Sequence, residues 1–588
     1  MNSSLRTVKH KADLCVVGGG LSGMCAAVAA ARHGIKVVLM HDRPVFGGNA
    51  SSEIRMWICG AHGENNRETG IIEEIALESL YRNPYRRYPM WDCILFELIK
   101  KEENITPILN CACNDIEMDG NRIKKIYGYQ TTTQMWHEVE ADYFSDCSGD
   151  SILAPLSGAE YRYGREGRGE FGESIAPEKS DKKTMGMTCL MQARQTERPH
   201  KYIAPSWARK FTKEDLPYRI PNMDDPEENF WYMEIGGEQD MIHDTEEIRD
   251  ELIKIAYGIW DYIKNSGEYD ADNWELDFVG YLPGKRESRR YVGDYIMNQN
   301  DVSAEGRFDD VIAYGGWTMD DHHPGGINTN EPPNIFHPAP SPFGIPYRCL
   351  YSVNVENLYF AGRNISVTHT AMSATRVMAT CALLGQAVGT AAYLAVKYGT
   401  TPKGVYKEHI RELQYALMDD DCWLPFSKKE LSEITRTSKI STTGRNAEKL
   451  LNGVERPRGD ESNCWTGKIG DTIMFGFDGE REVNEVRFIF NSDLNRETVG
   501  AGKYLKEKST ISNVYRDNPG LNVPKTLVKD MRTEILDESG EWHEINGVAD
   551  NHQRLVKLPV GKKAYGMRFT LLSTNGNSEA DIYSIDIR

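Results

Sequence analysis

The segment 13–49 constrains the fold of this chain more than any other feature. An apolar strand leads into the turn GGGLSG, and a helix of small residues and a second strand ending in Asp42 follow. In such a turn Gly18 permits the tight bend, Gly20 lets the backbone approach a pyrophosphate, and Gly23 lets the helix pack on the strand. The strand before the turn and the carboxylate roughly 20 residues after it are the context that this motif requires. The segment therefore predicts a cradle for a dinucleotide.

Length and charge narrow the range of partners. At 588 residues the chain exceeds the size of a single core, so three or more units are expected. Its 69 basic and 87 acidic side chains give a net charge of -18 without a basic tract, which argues against a nucleic-acid partner. Neither a secretion signal nor an apolar stretch of the roughly 18 residues that a membrane span needs is visible. We therefore expect a cytoplasmic protein without a membrane partner, and self-association into a homo-oligomer stays open.

The cysteines and histidines do not form a recognisable metal motif. The 12 cysteines are scattered, with no CxxC pair, which predicts buried thiols in a reducing compartment and no iron-sulfur cluster. The run Asp320-Asp321-His322-His323 offers adjacent ligands in one loop, and such ligands rarely complete a coordination shell. We therefore predict no metal site.

The pattern along the chain predicts four segments. Residues 1–160 alternate strand and helix, and residues 161–350 mix short strands, an amphipathic helix over 245–265 and loops rich in Pro, Gly and His. Strand, glycine turn and long helix return in 351–450, while 456–588 shows short alternating strands separated by turns. The predicted fold class is α/β: a Rossmann-type cofactor domain split in sequence, an inserted α+β substrate domain, and a C-terminal β-sandwich of the jelly-roll type.

Two further glycine clusters and one carboxylate accompany the cradle. The pair Gly47 and Gly48 just after the second strand fits tight passage beside a bulky planar ligand, with a plain turn as the alternative. The turn at Gly362 leads into a helix of small residues over 371–396, whose first amides suit an electron-rich ring carbonyl. Asp150 ends a strand, which is where ligands lie in doubly wound sheets.

Taken together, these segments resemble a known family. The stretches VVGGGLSG, HDRPVFGGNASSE, FSDCSGD, GKRESRR and YFAGRNISVTHTAMSATRVMATCALLGQAVG are similar to bacterial FAD-dependent oxidoreductases, which are related in architecture to fumarate reductases and glutathione-reductase-type flavoproteins. The resemblance covers roughly residues 10 to 400 and implies FAD as the cofactor. It implies contacts to FAD from Gly18, Gly20 and Gly23 at the pyrophosphate, His41 or Asp42 at the ribose, Gly47, Gly48 and Asn49 beside the flavin, and Asp150, Gly362, Arg363 and Asn364 closing over it. Arg43, Arg55 and Arg376 complete the candidate cofactor contacts.

The residue after the second strand departs from the family pattern. Many members carry Glu there, whereas this chain has His41 followed by Asp42. We prefer Asp42 as the ribose ligand because a carboxylate is the better partner for vicinal hydroxyls.

Catalytic candidates come from loops expected near the flavin. Oxidation of a hydroxyl or amine needs a base, and reduction of an activated alkene needs a proton donor and arginines for the substrate carboxylate. Of the adjacent His322 and His323, at least one is expected in the pocket, His323 being preferred as the acid-base group, with a solvated turn as the alternative. Arg286 and Arg290 fit either a substrate clamp or an ion-pair lattice. The full set of catalytic candidates is His62, Arg286, Arg290, His322, His323 and His369.

The leading hypothesis is an FAD enzyme that transfers hydride between a polar organic substrate and flavin. A carbohydrate or glycoside hydroxyl is the favoured substrate, because the C-terminal segment resembles discoidin or galactose-binding jelly rolls, although a packing module is an equal alternative. The rival functions are a fumarate-reductase-like reductase of an unsaturated carboxylic acid and an electron-relay flavoprotein subunit. Covalent attachment of FAD stays open. The aromatic candidates for a sugar site are Trp465, Tyr504, Tyr515 and Trp542.

Overall fold

The computed structural model of the chain describes residues 5–500 and 508–588. By its internal contacts the chain divides into two compact units, each made of three stretches of sequence. The first unit comprises Met1–His62, Arg86–Gln414 and Lys503–Pro519. The second unit comprises Gly63–Tyr85, Tyr415–Gly502 and Gly520–Arg588.

The first unit is built on a seven-stranded sheet in the order β3-β2-β1-β6-β5-β4, with β17 also pairing with β6. The pairs β1 with β2, β2 with β3, β1 with β6 and β6 with β17 are parallel, while β4, β5 and β6 form an antiparallel meander. The remaining strands form five two-stranded sheets. The strands of this unit are β1 (Thr7–Val17), β2 (Val37–Met40), β3 (Ile105–Ile108), β4 (Cys111–Asp119), β5 (Arg122–Gln130), β6 (Met135–Asp146), β7 (Tyr161–Arg162), β8 (Met187–Thr188), β9 (Met191–Gln195), β10 (Trp274–Val279), β11 (Gly284–Lys285), β12 (Arg290–Tyr291), β13 (Val311–Gly315), β14 (Met319–His322), β15 (Asn334–His337), β16 (Phe343–Pro346) and β17 (Leu358–Phe360).

Most helices also belong to the first unit. Of the helices in the described ranges, α2 and α11 lie in the second unit, and α10 is divided between the units at Gln414. The helices are α1 (Leu21–Arg32), α2 (Ile71–Arg82), α3 (Tyr88–Lys101), α4 (Leu153–Ser157), α5 (Arg168–Phe171), α6 (Thr245–Asn265), α7 (Gln299–Ser303), α8 (His369–Thr375), α9 (Met378–Tyr398), α10 (Pro402–Asp419) and α11 (Glu433–Thr437).

Helices α1 and α9 pack with their backbones in contact. A Cβ atom built on Gly385 would lie 1.9 Å from the carbonyl oxygen of Ser22, and one on Gly389 would lie 2.2 Å from that of Ala26. Helix α9 is long and apolar enough to cross a membrane, but 89% of its apolar window is buried inside the protein. Its composition is therefore explained by its place in the core.

The predicted long helix over 371–396 is interrupted. Helix α8 ends at Thr375, and Val377 takes an extended conformation with φ -65° and ψ 145° before α9 begins. The thiol of Cys381 donates to the carbonyl oxygen of Arg376 at 3.3 Å, which satisfies an acceptor left open by the break. The prediction of one helix was wrong at this point because the sequence carries neither Gly nor Pro there.

A lattice of five charged side chains, all buried except the 31% exposed Asp321, joins β12, α8 and β14, and we call it the buried lattice; its members are Glu166, Glu287, Arg290, Asp321 and His369. The ring of His369 lies between carboxylates, with Nδ1 2.8 Å from Glu287 and Nε2 3.0 Å from Asp321. Arg290 bonds to Glu287 and Glu166 at 2.9 Å each. Burial would lower the pKa of His369, but Glu287 and Asp321 raise it to about 10. His369 is therefore an imidazolium at neutral pH.

The segment predicted as an inserted domain lies in the same unit as the predicted cofactor domain. Residues 161–350 lie in the first unit, where the hydroxyl of Tyr291 donates to the Asp146 carboxylate at 2.7 Å and β12 pairs with β7. Conversely, 63–85 belongs to the second unit although it precedes the C-terminal segment by more than 300 residues. Local periodicity reports helices and strands but carries no information on such long-range contacts.

The second unit is an antiparallel β-sandwich, which confirms the predicted C-terminal fold. Its strand order is β19-β24-β20-β23-β21-β22, with β18 pairing with β20. Phe488 and Phe569 meet edge to face in its core with ring centroids 5.3 Å apart. The strands are β18 (Lys439–Thr442), β19 (Trp465–Lys468), β20 (Thr472–Phe490), β21 (Val528–Leu536), β22 (Trp542–Val548), β23 (Leu555–Thr574) and β24 (Glu579–Ile587).

Of the four aromatic residues predicted for a sugar site, the structure describes three. Trp465 is fully buried in the core of the second unit. The ring of Trp542 is covered by the guanidinium of Arg568 at 4.5 Å. Tyr515 belongs to the first unit, where it packs against buried side chains, and Tyr504 lies outside the described residues. Core packing therefore explains Trp465 and Tyr515.

The close contact between α1 and α9 predicts that one methyl group added at Gly385 strongly lowers the stability of the protein. We expect Gly385→Ala to lower the free energy of unfolding by about 2 kcal/mol or more, because its Cβ would overlap the carbonyl of Ser22. Urea denaturation measures the change. Gly169→Ala is the control, since a Cβ there meets no atom within 4 Å. Equal stability of the two variants would contradict the expected overlap.

The buried lattice predicts a pH-dependent stability. Because the pKa of His369 is raised in the folded state, its contribution to stability is full below about pH 6.5 and is lost as pH rises through about 10. We expect wild type to exceed His369→Gln by about 3 to 5 kcal/mol near pH 6, with the difference shrinking toward pH 10. Denaturation at a series of pH values tests this, with His323→Gln as the control. A difference that stays constant with pH would count against the lattice.

Candidate functional site

A cavity of about 920 Å³ lies in the first unit at the carboxyl ends of β1, β2 and β6. Its walls come from the turn after β1, the loop after β2, the turn after β6, the segment around β11, the hairpin of β14 and β15, and the start of α9. Parallel strands bring their carboxyl ends to one edge, so segments distant in sequence meet there.

The three cradle glycines have distinct environments. Gly18 has a left-handed φ of +105°, and a Cβ on it would lie 2.4 Å from the carbonyl oxygen of Cys147. A Cβ on Gly23 would lie 1.8 Å from the oxygen of Gly18. A Cβ on Gly20 would meet only the Cα of Gly48, at 3.8 Å. Gly18 and Gly23 therefore serve packing, whereas Gly20 leaves open space on the cavity side, as a closely approaching pyrophosphate requires.

The paired glycines contact the cradle directly. Gly47 has φ +107° and donates its amide to the carbonyl of Gly19 at 2.9 Å. Gly48 has φ +58°, and a Cβ on it would lie 3.0 Å from the Cα of Gly20. The side-chain amide of Asn49 donates to the carbonyl of Lys285 at 3.1 Å. The two glycine turns thus form one wall of the cavity.

The residues after β2 divide between structural and ligand-facing positions. His41 is buried, accepts the amide of Gly19 at Nδ1 (2.9 Å), and donates from Nε2 to the carbonyl of Val45 (3.1 Å). Both ring nitrogens of His41 are therefore engaged within the protein. The side chain of Asp42 is 60% exposed at the cavity wall, and Nη1 of Arg43 is buried with no partner among the described residues. Asp42 and Arg43, rather than His41, are placed to meet a ligand.

Asp150 holds two cations against the cavity wall. Its carboxylate lies 2.9 Å from Nζ of Lys285 and 2.9 Å from Nη2 of Arg363, and it accepts the hydroxyl of Ser288 at 2.8 Å. Burial would raise the pKa of Asp150, but the two cations hold it well below its ordinary value. The three groups carry a net positive charge at a cavity wall shared with the cradle.

The break between α8 and α9 brings a helix N-terminus to the cavity. Val377 and Met378 line the wall, so the first amides of α9 lie beside it. Helix N-termini carry partial positive charge and unpaired donors. The predicted helix begins at Ala371, whose amide donates to the hydroxyl of Thr368 at 3.2 Å. The amides beside the cavity are instead those at the start of α9, where Ala379 donates to the carbonyl of Cys59 at 3.0 Å.

A cluster of five polar side chains lines or supports another part of the wall. We call it the His322 cluster; its members are Glu234, Arg286, Asp320, His322 and Arg376. Nδ1 of His322 lies 2.9 Å from Glu234, and its Nε2 lies 3.2 Å from Asp320. Arg286 pairs with Glu234 at 2.8 Å, and Arg376 pairs with Asp320 at 3.1 Å. His322 is only 3% exposed, yet it lines the cavity.

Both carboxylates of the His322 cluster stay ionised. Burial would raise the pKa of Glu234, but Arg286 and His322 hold it below its ordinary value. Burial acts likewise on Asp320, whose pKa is held low by His322, Arg376 and Asn334. The ring of His322 is thus oriented by two carboxylates, one at each nitrogen.

Aromatic rings adjoin the cluster. Trp231 meets His322 edge to face with centroids 5.2 Å apart. Trp317 approaches Asp320 with its indole nitrogen at 3.4 Å and stacks on His62 at 4.3 Å. Phe336 on β15 also lines the cavity although it is 60% exposed. The wall around His322 therefore combines flat apolar surfaces with hydrogen-bonding groups.

The cavity gathers most of the predicted site residues. Among the residues that the structure describes, its lining includes Gly18, Gly20, His41, Asp42, Arg43, Gly47, Gly48, Asn49, Asp150, Arg286, His322, Gly362, Arg363 and Arg376. The predicted residues placed outside the lining are Gly23, Arg55, His62, Arg290, His323, Asn364 and His369.

The outlying residues have other partners. The guanidinium of Arg55 lies 4.0 Å from the ring of Phe278 and bonds to Gln192. His323 turns back on its own loop, where Nδ1 accepts the amide of Gly325 at 3.1 Å. Asn364 is buried behind the wall and donates to the carbonyl of Asp146 at 3.4 Å. His62 stacks on Trp317, and Arg290 and His369 belong to the buried lattice. The positions of Arg290, His323 and His369 do not support direct catalytic roles.

Sequence reasoning missed four residues of the site. Glu234 follows no motif, and only the fold brings it to His322. Trp231 and Trp317 are single aromatic residues in loops, which patterns attribute to packing. Lys285 lies in the stretch GKRESRR together with the candidates Arg286 and Arg290. That position is the sequence signal that could have identified Lys285 as a site residue.

Comparison with known proteins identifies a family for most of this chain. A family model described as FAD dependent oxidoreductase matches residues 13–417. No curated protein matches the chain. Similar solved structures include the family 32 carbohydrate-binding module of Streptococcus pneumoniae EndoD, 15% identical over 27% of this chain and 99% of that one, with a TM-score of 0.20. Another is the family 32 module of C. perfringens NanJ in complex with galactose, 8% identical over 27% of this chain and 97% of that one, with a TM-score of 0.19.

These structural likenesses carry no inference about this chain at such TM-scores. The family model covers more than half of the chain, and its range includes the cradle, the paired glycines and the His322 cluster. The chain belongs to the FAD dependent oxidoreductase family, and it is an enzyme whose cofactor is FAD.

Proposed function

We propose that the enzyme oxidises a hydroxyl group of a polar organic substrate, with a carbohydrate or glycoside as the favoured substrate. The observation that carries the proposal is His322, a buried imidazole at the wall of the FAD cavity with Nδ1 held by the carboxylate of Glu234. Oxidation of a hydroxyl needs a base for its proton, and a carboxylate-held histidine is suited to that role.

The cavity fits the cofactor of the family. The open side of Gly20 leaves room for a pyrophosphate, the unpartnered Nη1 of Arg43 offers a donor, and Asp42 suits ribose hydroxyls. The start of α9 and the pair Lys285 and Arg363 supply positive charge along the wall. When bound, FAD supplies the hydride acceptor, and the remaining chemistry falls to side chains of the chain.

His322 is the proposed base, and its neighbours fix its orientation. The hydroxyl proton passes to Nε2, while Glu234 stabilises the resulting imidazolium through Nδ1. Nε2 lies 3.2 Å from Asp320, so a substrate hydroxyl enters beside that carboxylate. Asp320 itself is a poor base because its pKa is held far below neutral pH.

The surroundings of His322 favour a sugar. Trp231, Trp317 and Phe336 offer flat apolar surfaces, while Asn334 and Arg376 offer hydrogen bonds. A sugar ring presents apolar C–H faces and polar hydroxyl edges, so it matches such a mixed wall.

The position of Arg290 weakens the rival function. In the rival function, the reduction of an unsaturated carboxylic acid, Arg286 and Arg290 would together bind the substrate carboxylate. Arg290 is buried between Glu287 and Glu166 and does not line the cavity. A two-arginine clamp is therefore not formed by this pair.

Anaerobic mixing experiments test the proposal. We expect sugars, glycosides or related polyols to bleach the oxidised flavin of the purified protein. Unsaturated dicarboxylates are added in parallel to enzyme reduced beforehand. Reoxidation by these acids, with no bleaching by any hydroxyl compound, would favour the rival reductase.

The cradle predicts the effect of filling its open side. We expect Gly20→Val to abolish FAD retention, because the side chain would occupy the space left for the pyrophosphate. The protein should still fold, since only Gly48 lies near that position. The ratio of flavin to protein absorbance after purification measures retention, and circular dichroism checks folding. Gly169→Val serves as the control, and equal flavin content in both variants would remove Gly20 from the cofactor site.

The two adjacent histidines give a matched pair of variants. We expect His322→Gln to keep the flavin but to slow its reduction by substrate about 100- to 10,000-fold, through loss of the base. We expect His323→Gln to stay near the wild-type rate, because its ring bonds to its own loop. Stopped-flow reduction across a pH series measures both. The reverse ranking of the variants would assign the base to His323.

A further inference from the structure

The arginines around the cavity fall into two electrostatic classes. Arg43 and Arg289 line the wall, and within the described residues neither has a carboxylate within 4.0 Å. Nη1 of Arg43 is buried without a partner, and the guanidinium of Arg289 lies over the ring of Tyr161 at 5.4 Å. Such unmatched cations suit the diphosphate of the cofactor.

The arginines of the His322 cluster are matched. Nη1 of Arg286 lies 2.8 Å from Glu234, and its Nη2 donates to the carbonyl of Trp231 at 2.8 Å. Nη2 of Arg376 lies 3.1 Å from Asp320, which balances its charge, while its Nε is buried without a hydrogen-bond partner. Two guanidinium groups therefore face two carboxylates that burial and ion pairing keep in place. The charges of the two carboxylates therefore balance those of the two guanidinium groups.

A substrate carboxylate would meet an unfavourable environment here. It would have to displace Glu234 or Asp320 from its arginine, or lie beside them as a third anion. Like charges at close range in a desolvated site repel each other strongly. A hydroxyl or an amide incurs no such cost, because it brings no net charge.

We propose that Glu234 and Asp320 exclude anionic substrates from the His322 cluster, so that the oxidised hydroxyl belongs to an uncharged sugar or polyol and not to a hydroxy acid. This inference rests on the proposed function for the identity of the reacting group. The inference itself concerns the charge of the ligands that the His322 cluster binds. Ligand binding is measured separately from turnover.

The test compares a small anion with its uncharged analogue. Acetate and acetamide are titrated into the FAD-bound protein, and binding is followed by the difference spectrum of the flavin. We expect acetate to bind wild type no better than acetamide. In Glu234→Gln and in Asp320→Asn, one arginine is released to form a bidentate pair, so the affinity for acetate should rise about 10- to 100-fold. The affinity for acetamide should not change.

A buried carboxylate outside the cavity provides the control. Asp310 is 2% exposed and pairs with Arg348 at 3.0 Å. We expect Asp310→Asn to leave acetate binding as in wild type, which separates the local effect from a general loss of negative charge.

Each outcome decides the inference. Acetate binding to wild type as tight as to the variants would overturn it, and so would the lack of a gain in both variants. If both variants lose FAD, tighter binding of acetate than acetamide to wild type overturns it, and the opposite order upholds it. If no hydroxyl compound bleaches the flavin while the acetate pattern holds, the proposed oxidation fails but the exclusion of anions stands.

Discussion

The first unit depends on glycine positions where one backbone lies directly against another. Gly23 sets α1 against the turn at Gly18, and Gly385 sets α9 against Ser22 at the start of α1. A methyl group at either point would lie within 2 Å of a carbonyl oxygen. These contacts fix α1 at its start and α9 about two turns after its start, and the starts of both helices lie at the cavity wall. The geometry of the cofactor site therefore depends on the packing of α1 and α9 as well as on the glycine turn after β1.

The His322 cluster depends in turn on a strand that is held from both sides. Neighbouring residues on a strand point to opposite faces, so on β14 Asp321 reaches the buried lattice while His322 reaches the cavity. The imidazolium of His369 holds Asp321, and Glu234 holds His322. The lattice thereby positions the proposed base without touching the ligand. Buried ion pairs add little net stability but bear strongly on geometry, since breaking one leaves an uncompensated charge.

The features that the sequence predicted correctly are those determined by interactions between residues close together in the chain. The cradle, the paired glycines and the alternating strands of the sandwich follow from turn geometry and periodicity, and the family and fold are confirmed. The structure places His322, and not the preferred His323, at the cavity wall, and the sequence could not show this because the register of β14 with β15 decides which ring faces inward. Glu234 was missed because its partners are distant in sequence. The break at Val377 was missed because tertiary contacts, not a helix-breaking residue, impose it.

The division into two units has a consequence for how the protein is made. The chain passes between the units five times, and the first unit is completed by residues that follow most of the second. Asn513 accepts the amide of Ala193, and Tyr515 packs against Trp274 in the core around α6. On the ribosome the first unit therefore cannot close this core until the segment around Tyr515 has emerged. Neither unit corresponds to a continuous gene fragment, so a C-terminal truncation before Pro519 leaves both units incomplete.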